Sequence, residues 1–232
     1  MAQIEAIGLD FSGVLADSRQ AHTIARKKAM QSYRRDNNLL GITAIPDELH
    51  DQAYLHGDSS RSIIAWLLDQ ADIVLEPDTI SLINTIKKHE FAQLSQEGLP
   101  AIDGAIDYVR WVSAKLTPGR IGIASRSSCI ESFLQRQGIE DAIGHIVDAD
   151  QTLPHLRKPH PYVYTKLALL MGVSESKMMS VDDSPDGIMA ARAAGTFAVG
   201  IATTHPRDQI ARAHMIVNNF SELQSVTREQ LI

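Results

Sequence analysis

The fold of this chain is decided near its start, by the stretch Ile4-Glu5-Ala6-Ile7-Gly8-Leu9-Asp10-Phe11-Ser12-Gly13-Val14-Leu15-Ala16-Asp17-Ser18. The carboxylate Asp10 follows the mainly apolar residues 4–9, and Gly13 comes three residues later. Such a run predicts a buried parallel strand whose C-terminal end presents Asp10. Ligands of open α/β sheets bind just outside the carboxyl ends of the strands. We therefore predict that Asp10 is a catalytic carboxylate.

The composition is ordinary for a globular protein. The 232 residues are 44% hydrophobic and 22% charged, which allows one large domain or a core with a smaller insert. A formal net charge of -6 gives no basic surface for nucleic acid. We expect neither a signal peptide nor a membrane span, because no long uncharged apolar run is present. A single cysteine favours a reducing compartment, so we expect a cytoplasmic location. We also expect a monomer or weak dimer.

The sequence pattern changes twice along the chain. Residues 19–97 show helical patterns only, including a helix over 59–68 and a helix start at Pro77. From Ile102 onward helical stretches alternate with short strands, predicted at 121–124, 143–147, 177–181, 197–201 and 215–217. This order predicts an α/β Rossmann-like core, with a parallel sheet flanked by helices, over residues 1–16 and 99–232. The core is interrupted by an inserted α-helical cap domain over residues 17–98.

Polar residues with chemical potential fall where predicted strands end or helices begin. Ser125 follows the strand 121–124, and Asp182 and Asp183 follow the strand 177–181. Lys158 precedes a helix that contains Tyr164. Together with the stretch around Asp10, these segments resemble the four motifs of the haloacid dehalogenase superfamily, in order and over nearly the whole chain. The resemblance implies a hydrolase with a helical cap.

Further details resemble the β-phosphoglucomutase and sugar-phosphate phosphatase branch. The core carries Lys158-Pro-x-Pro-x-x-Tyr164 and Ser184-Pro-Asp-Gly-Ile-x-x-Ala-x-x-Ala-Gly195. In the insert, Leu55-x-Gly57-x-Ser59-x-Arg61 resembles the specificity loop of that branch, and Lys87-x-x-x-Phe91 resembles its cap lysine motif. The resemblance implies a small phosphorylated metabolite, such as a sugar phosphate, as substrate. Its implied substrate-binding residues are His22, Arg61, Lys87 and Arg126, although the three cap residues could instead lie on a solvated helical face.

The residue types suit phosphoryl transfer. The reaction needs a nucleophile, positive charge beside the phosphoryl oxygens, and donors that hold the group in line. Asp10 is the candidate nucleophile and would form an aspartyl-phosphate. Ser125 can donate to a phosphate oxygen, and Lys158 supplies a positive charge. The alternative roles of these residues are helix capping and solvation.

The acidic residues predict a metal site. Asp10, Asp182 and Asp183 would form a dense anionic cluster that is unfavourable without a cation. Hard oxygen ligands beside a phosphate favour Mg²⁺. The backbone carbonyl of Ser12 is the fourth predicted ligand.

Ser12 departs from the superfamily pattern. Most phosphatases of the superfamily carry there a second Asp, which protonates the leaving oxygen and then activates water. A serine cannot do this near neutral pH, and loss of general acid–base catalysis typically costs about 10²–10⁴ in rate. His22 could substitute, because it titrates near neutral pH.

Two alternatives to a sugar-phosphate phosphatase stay open. One is an enzyme like the phosphonate hydrolases, which carry a small residue at this position and a cap lysine that forms an imine. The specificity loop here carries Arg61, and an arginine cannot form that imine. The other alternative is a catalytically weak protein that binds a phosphorylated ligand.

Overall fold

A computed structural model describes residues 3–36, 45–53, 60–125, 127, 129–148 and 153–231. The chain divides into two compact units. The α/β unit comprises Met1–Asp17 and Pro100–Ile232, and the helical unit comprises Ser18–Leu99.

The α/β unit contains a six-stranded parallel sheet, with the order β3-β2-β1-β4-β5-β6. The prediction of a parallel α/β sheet is therefore confirmed. The strands are β1 (Ala6–Leu9), β2 (Ile121–Ser125), β3 (His145–Asp148), β4 (Met178–Asp182), β5 (Phe197–Ile201) and β6 (Met215–Val217). Strand β3 begins two residues later than predicted, because Ile143 still closes the short 3₁₀ turn Glu140–Ala142.

Helices cover this sheet. They are α5 (Ala105–Ser113), α6 (Ile130–Gln137), α7 (Tyr162–Met171), α8 (Pro185–Ala193) and α9 (Phe220–Leu231). Strands β1, β2 and β4 are buried along their whole length, as expected for strands that are covered on both faces.

Helix α7 approaches the sheet closely because two strand residues are glycines. A Cβ atom at Gly8 would lie 3.0 Å from the side chain of Leu167, and one at Gly122 would overlap the same side chain. Leu167 is fully buried in the core that α7 forms with the sheet. Since α7 begins four residues after Lys158, this packing also fixes where the Lys158 loop meets the strand ends.

The helical unit contains α1 (Arg19–Asp36), α2 (Asp47–Gln52), α3 (Ser60–Gln70) and α4 (Pro77–Gln96). Its core includes Ile64, Leu67 and Ile83, and α1 packs along α4. The predicted helix start at Pro77 is confirmed, with Glu76 at the N-cap. The start predicted at Ser59 lies outside the described residues. In the described part of the chain, no helix has the length and apolar character needed to span a bilayer.

Candidate active site

The carboxyl ends of β1, β2, β4 and β5 bring polar side chains together in the α/β unit. Asp10 follows β1, Ser125 ends β2, and Asp182 and Asp183 lie at the end of β4. All four side chains are buried. Because neighbouring strands are parallel, their carboxyl ends share one edge of the sheet, as predicted from the sequence.

The loop after β1 is a compact turn. The Phe11 carbonyl accepts hydrogen bonds from the backbone N–H groups of Leu15 (2.8 Å) and Ala16 (2.9 Å), and the Gly13 N–H donates to the Ala16 carbonyl (2.8 Å). Gly13 has a positive φ of 81°, and a Cβ atom there would overlap the Asp183 carboxylate. Glycine at this position therefore permits both the turn and the approach of Asp183.

The Lys158 ammonium bridges two of the buried carboxylates. Its Nζ lies 2.5 Å from Asp10 Oδ1 and 2.7 Å from Asp182 Oδ2. It also lies 5.1 Å from the centre of the Tyr164 ring. Burial alone would lower the pKa of Lys158, but the two carboxylates raise it above its usual range. The side chain is therefore held as a cation.

Asp182 is saturated with hydrogen-bond donors. Its Oδ2 accepts from the Tyr164 hydroxyl (2.6 Å) as well as from Lys158, and its Oδ1 accepts from the Ser184 hydroxyl (2.7 Å) and N–H (3.0 Å). The Ser184 oxygen also accepts from the Gly187 N–H (3.1 Å), which caps α8. Burial raises the pKa of Asp182, but these donors and Lys158 bring it below its ordinary value. Asp182 is thus ionised.

The pKa values of Asp10 and Asp183, by contrast, are raised. Burial raises the pKa of Asp10 to about 6 despite Lys158, with Asp182 adding to the rise and a hydrogen bond from Ser125 opposing it. Burial also raises the pKa of Asp183, and the charges of Asp182 and Asp10 raise it further. Both groups would gain from an added positive charge.

Residues 203–205, which lie just after β5, add further polar side chains to this edge of the sheet. The Thr204 hydroxyl donates to Asp183 Oδ2, and the Thr203 hydroxyl donates to the Gly13 carbonyl (2.5 Å). The sequence interpretation assigned these residues no role. The signal that could have found them is the one that found Asp10, namely polar residues directly after a buried apolar strand.

The oxygen atoms here are compatible with a magnesium ion, although no ready-made side-chain site is present. Within the described ranges, no group of three or more His, Cys, Asp or Glu side chains is arranged to hold a metal. Asp182 is directed at Lys158, and the Ser12 ligand would be a backbone carbonyl. Buried carboxylate and carbonyl oxygens are nevertheless the donors that Mg²⁺ prefers.

Three of the four predicted substrate-binding residues are described, and all three belong to the helical unit. They are His22, Arg61 and Lys87, whereas Arg126 lies outside the described residues. The buried Lys87 Nζ lies 2.9 Å from His22 Nδ1 and 3.0 Å from Ser60 Oγ, and the His22 ring stacks on Phe91 at 3.9 Å.

Arg61 is exposed and donates to the Pro77 carbonyl (3.2 Å). The residues Leu55, Gly57 and Ser59 of the same predicted motif lie outside the described residues.

The chain was compared with known protein families, and residues 4–195 match the model of the haloacid dehalogenase-like hydrolases. The chain belongs to the haloacid dehalogenase-like hydrolase family. The sequence resemblance is thereby confirmed. The roles of the individual residues stay predictions.

This hydrolase is similar to two relatives of named activity and to one solved structure. It is 33% identical to the β-phosphoglucomutase of Bacillus subtilis (strain 168), over 95% of this chain and 92% of that protein. It is 27% identical to the validoxylamine A 7′-phosphate phosphatase of Streptomyces hygroscopicus subsp. limoneus over 53% of this chain, and the match spans only 57% of that relative's length. The crystal structure of β-phosphoglucomutase from Clostridium difficile shares the fold, with a TM-score of 0.70, 22% identity, and coverage of 97% of this chain and 98% of that one.

The Tyr164 hydroxyl provides a direct test of how Asp182 is held. Replacing Tyr164 with Phe keeps the buried ring but removes one donor to an ionised acceptor. We expect the free energy of unfolding to fall by about 1.5–3 kcal/mol, the usual worth of a hydrogen bond to a charged group. Urea denaturation would measure this. The control Tyr162→Phe, on the same helix but only half-buried, should change stability by less than ~0.5 kcal/mol. Equal effects of the two variants would contradict the assigned role of the Tyr164 hydroxyl.

Proposed function

We propose that this hydrolase is a Mg²⁺-dependent phosphatase or phosphotransferase that acts on a small phosphorylated metabolite, most simply a sugar phosphate. The observation that carries the proposal is the Lys158 ammonium, which lies between Asp10 and Asp182 at the strand ends. Family membership and the activities named for the relatives, a phosphatase and a sugar-phosphate mutase, support an enzyme of this kind. A cytoplasmic location and a monomeric or weakly dimeric state stay predictions.

Asp10 is the nucleophile in this proposal. One of its carboxylate oxygens forms a bond to phosphorus as the bond from phosphorus to the leaving oxygen breaks, which gives an aspartyl-phosphate and an alkoxide that takes a proton from water. Lys158 keeps Asp10 ionised through its charge and offsets the negative charge of the phosphoryl oxygens. Ser125 can donate to one of those oxygens. Water or an acceptor hydroxyl then attacks phosphorus and loses its proton to solvent, and the bond between phosphorus and the Asp10 oxygen breaks.

Asp10, Asp183 and the Ser12 carbonyl are the residues that would hold Mg²⁺. When bound, the ion would supply positive charge beside the transferring phosphoryl group. Asp182 belonged to the predicted ligand set as well, but the donors on both of its oxygens favour a different role, that of holding Lys158. The raised pKa values of Asp10 and Asp183 are consistent with a cation at their side.

The helical unit is the proposed cap. His22, Lys87 and Arg61, together with Arg126 of the α/β unit, are proposed to contact the part of the substrate that does not react. A buried ammonium beside a histidine and a serine hydroxyl offers donors that suit sugar hydroxyls or a second anionic group.

The first test is a screen of phosphate esters against the protein. Release of inorganic phosphate should require added Mg²⁺, and Asp10→Asn should reduce it to background because an amide cannot form the aspartyl-phosphate. Asp208→Asn, an exposed carboxylate outside the site, is the matched control and should leave turnover unchanged. Hydrolysis that persists after chelation, or in Asp10→Asn, would refute the mechanism.

A second candidate function is binding of a phosphorylated ligand with little turnover, and the observation that favours it is Ser12. We expect Ser12→Asp to raise hydrolysis of unactivated phosphate esters by at least ~10-fold, because it supplies the missing acid–base group. Steady-state kinetics would measure the gain. An activated ester should gain less in the first step, since its leaving group needs little protonation.

Rapid-quench detection of phosphorylated Asp10 separates the two steps. Accumulation in the unaltered protein would mean that attack occurs and that water activation is what Ser12 lacks. If Ser12→Asp accelerates no ester that binds, the site serves other chemistry or binding alone.

A variant of Arg61 tests the proposed cap. Arg61→Ala should raise KM or change selectivity by several-fold without altering folding or Mg²⁺ binding, because the side chain is exposed and donates only to the Pro77 carbonyl among its described contacts. Lys88→Ala, another exposed cation of the helical unit, is the control for a general loss of charge. If Arg61→Ala changes neither KM nor selectivity, Arg61 belongs to a solvated face of its helix.

A further inference from the structure

The segment 203–205 contacts the candidate site through three consecutive side chains. The Thr204 hydroxyl donates to Asp183 Oδ2, and the Thr203 hydroxyl donates to the Gly13 carbonyl (2.5 Å). The His205 Nδ1 atom lies 2.9 Å from Thr204 Oγ1, and the His205 ring hydrogen-bonds to the Asp183 backbone. One short segment therefore contacts both the Asp183 residue and the loop after β1.

The backbone of this segment is itself anchored. Ala202 N–H donates to the Val217 carbonyl (2.9 Å), and Thr203 N–H donates to the Ile201 carbonyl (2.9 Å). The segment directly follows β5, which pairs with β4, the strand that ends beside Asp183. The two threonine hydroxyls are thus presented from the rigid sheet, and such support is what precise ligand geometry requires.

The hydrogen-bond inventory fixes which way the Thr204 hydroxyl points. A hydroxyl has one hydrogen, and a carboxylate in the ionised form that binds a metal only accepts hydrogen bonds. Thr204 therefore gives its hydrogen to Asp183 Oδ2. Oδ2 of Asp183 is held in this way, and Oδ1 is the other oxygen of the carboxylate.

The contact of Thr203 with Gly13 links this arrangement to a second proposed metal ligand. Gly13 directly follows Ser12, whose carbonyl is the backbone ligand in the proposed function. Gly13 also lacks the Cβ atom that would overlap Asp183. Segment 203–205 therefore sets the position of Asp183 and of the Ser12–Gly13 peptide relative to each other.

We propose that Thr204 is a positioning residue for the metal site: its hydroxyl orients the Asp183 carboxylate so that Oδ1 can bind the divalent cation, while Thr203 holds the adjoining loop. This inference rests on the proposed function, because it assumes that Asp183 binds the metal. Residues that hold metal ligands in this way typically contribute 10–100-fold to metal affinity.

The test is calorimetric titration of Mg²⁺ into the metal-free full chain, with no turnover involved. Thr204→Val keeps the shape but removes the hydroxyl, and should weaken Mg²⁺ binding by about 10-fold or more. Thr204→Ser keeps the hydroxyl and should restore affinity to within about 3-fold of the unaltered protein. Thr165→Val, at an exposed threonine of α7, is the control and should bind as the unaltered protein does.

Kinetics give a second readout. At saturating Mg²⁺, Thr204→Val should recover most of its kcat, whereas a merely damaged fold would not recover. Thr204→Ala serves if the valine variant does not fold, as judged by circular dichroism.

The outcomes separate this inference from the proposed function. If the unaltered protein binds no Mg²⁺, both the metal-dependent function and the role of Thr204 are overturned. If the unaltered protein binds and Thr204→Val or Thr204→Ala binds equally well, only the role of Thr204 is overturned.

Discussion

The ammonium of Lys158, held between Asp10 and Asp182, is the interaction on which the candidate site depends. Two buried carboxylates at neighbouring strand ends would repel each other without it, and a buried charge persists only when it is paired and hydrogen-bonded. Several features of the fold serve this contact. Strands β1 and β4 are parallel neighbours, so Asp10 and Asp182 lie at the same edge. Helix α7 packs closely on the glycines of the sheet and thereby fixes the loop that carries Lys158. The hydroxyls of Tyr164 and Ser184 donate further hydrogen bonds to the Asp182 carboxylate.

The charge at this edge is not fully compensated by the described contacts. Lys158 pairs with Asp10 and Asp182, whereas Asp183 is met by the neutral Thr204 hydroxyl. The pKa of Asp183 is accordingly raised by burial and by its acidic neighbours, and that of Asp10 is raised to about 6. A fold optimised for stability alone would replace such a cluster with apolar side chains. Its retention is consistent with a site that gains from a cation and a phosphoryl group when it works.

The sequence predicted the strands and the residues at their ends well, because both depend on local patterns. A buried apolar run followed by a carboxylate is visible without coordinates, and β5 and β6 have the predicted bounds. The partners of those end residues could not be predicted in the same way. Asp182 and Asp183 are adjacent in sequence, yet one accepts from Lys158 and the other from Thr204, since successive side chains at a strand end point in different directions. Thr204 lies 21 residues from Asp183 along the chain, and nothing in the sequence pairs it with that carboxylate.

Ser12 shows how a backbone role and a side-chain role can separate at one position. The loop from Phe11 to Ala16 is closed by backbone hydrogen bonds and by the left-handed Gly13, so its shape does not require a particular side chain at position 12. The carbonyl of Ser12 can therefore keep the place proposed for it as a metal ligand whatever side chain stands at this position. Under the proposed mechanism such a site would retain attack by Asp10, because Lys158 lies beside that carboxylate. It would lose two things, namely protonation of a poor leaving group in the first step and activation of water in the second. The nature of the leaving group should therefore decide how fast the first step proceeds in this hydrolase.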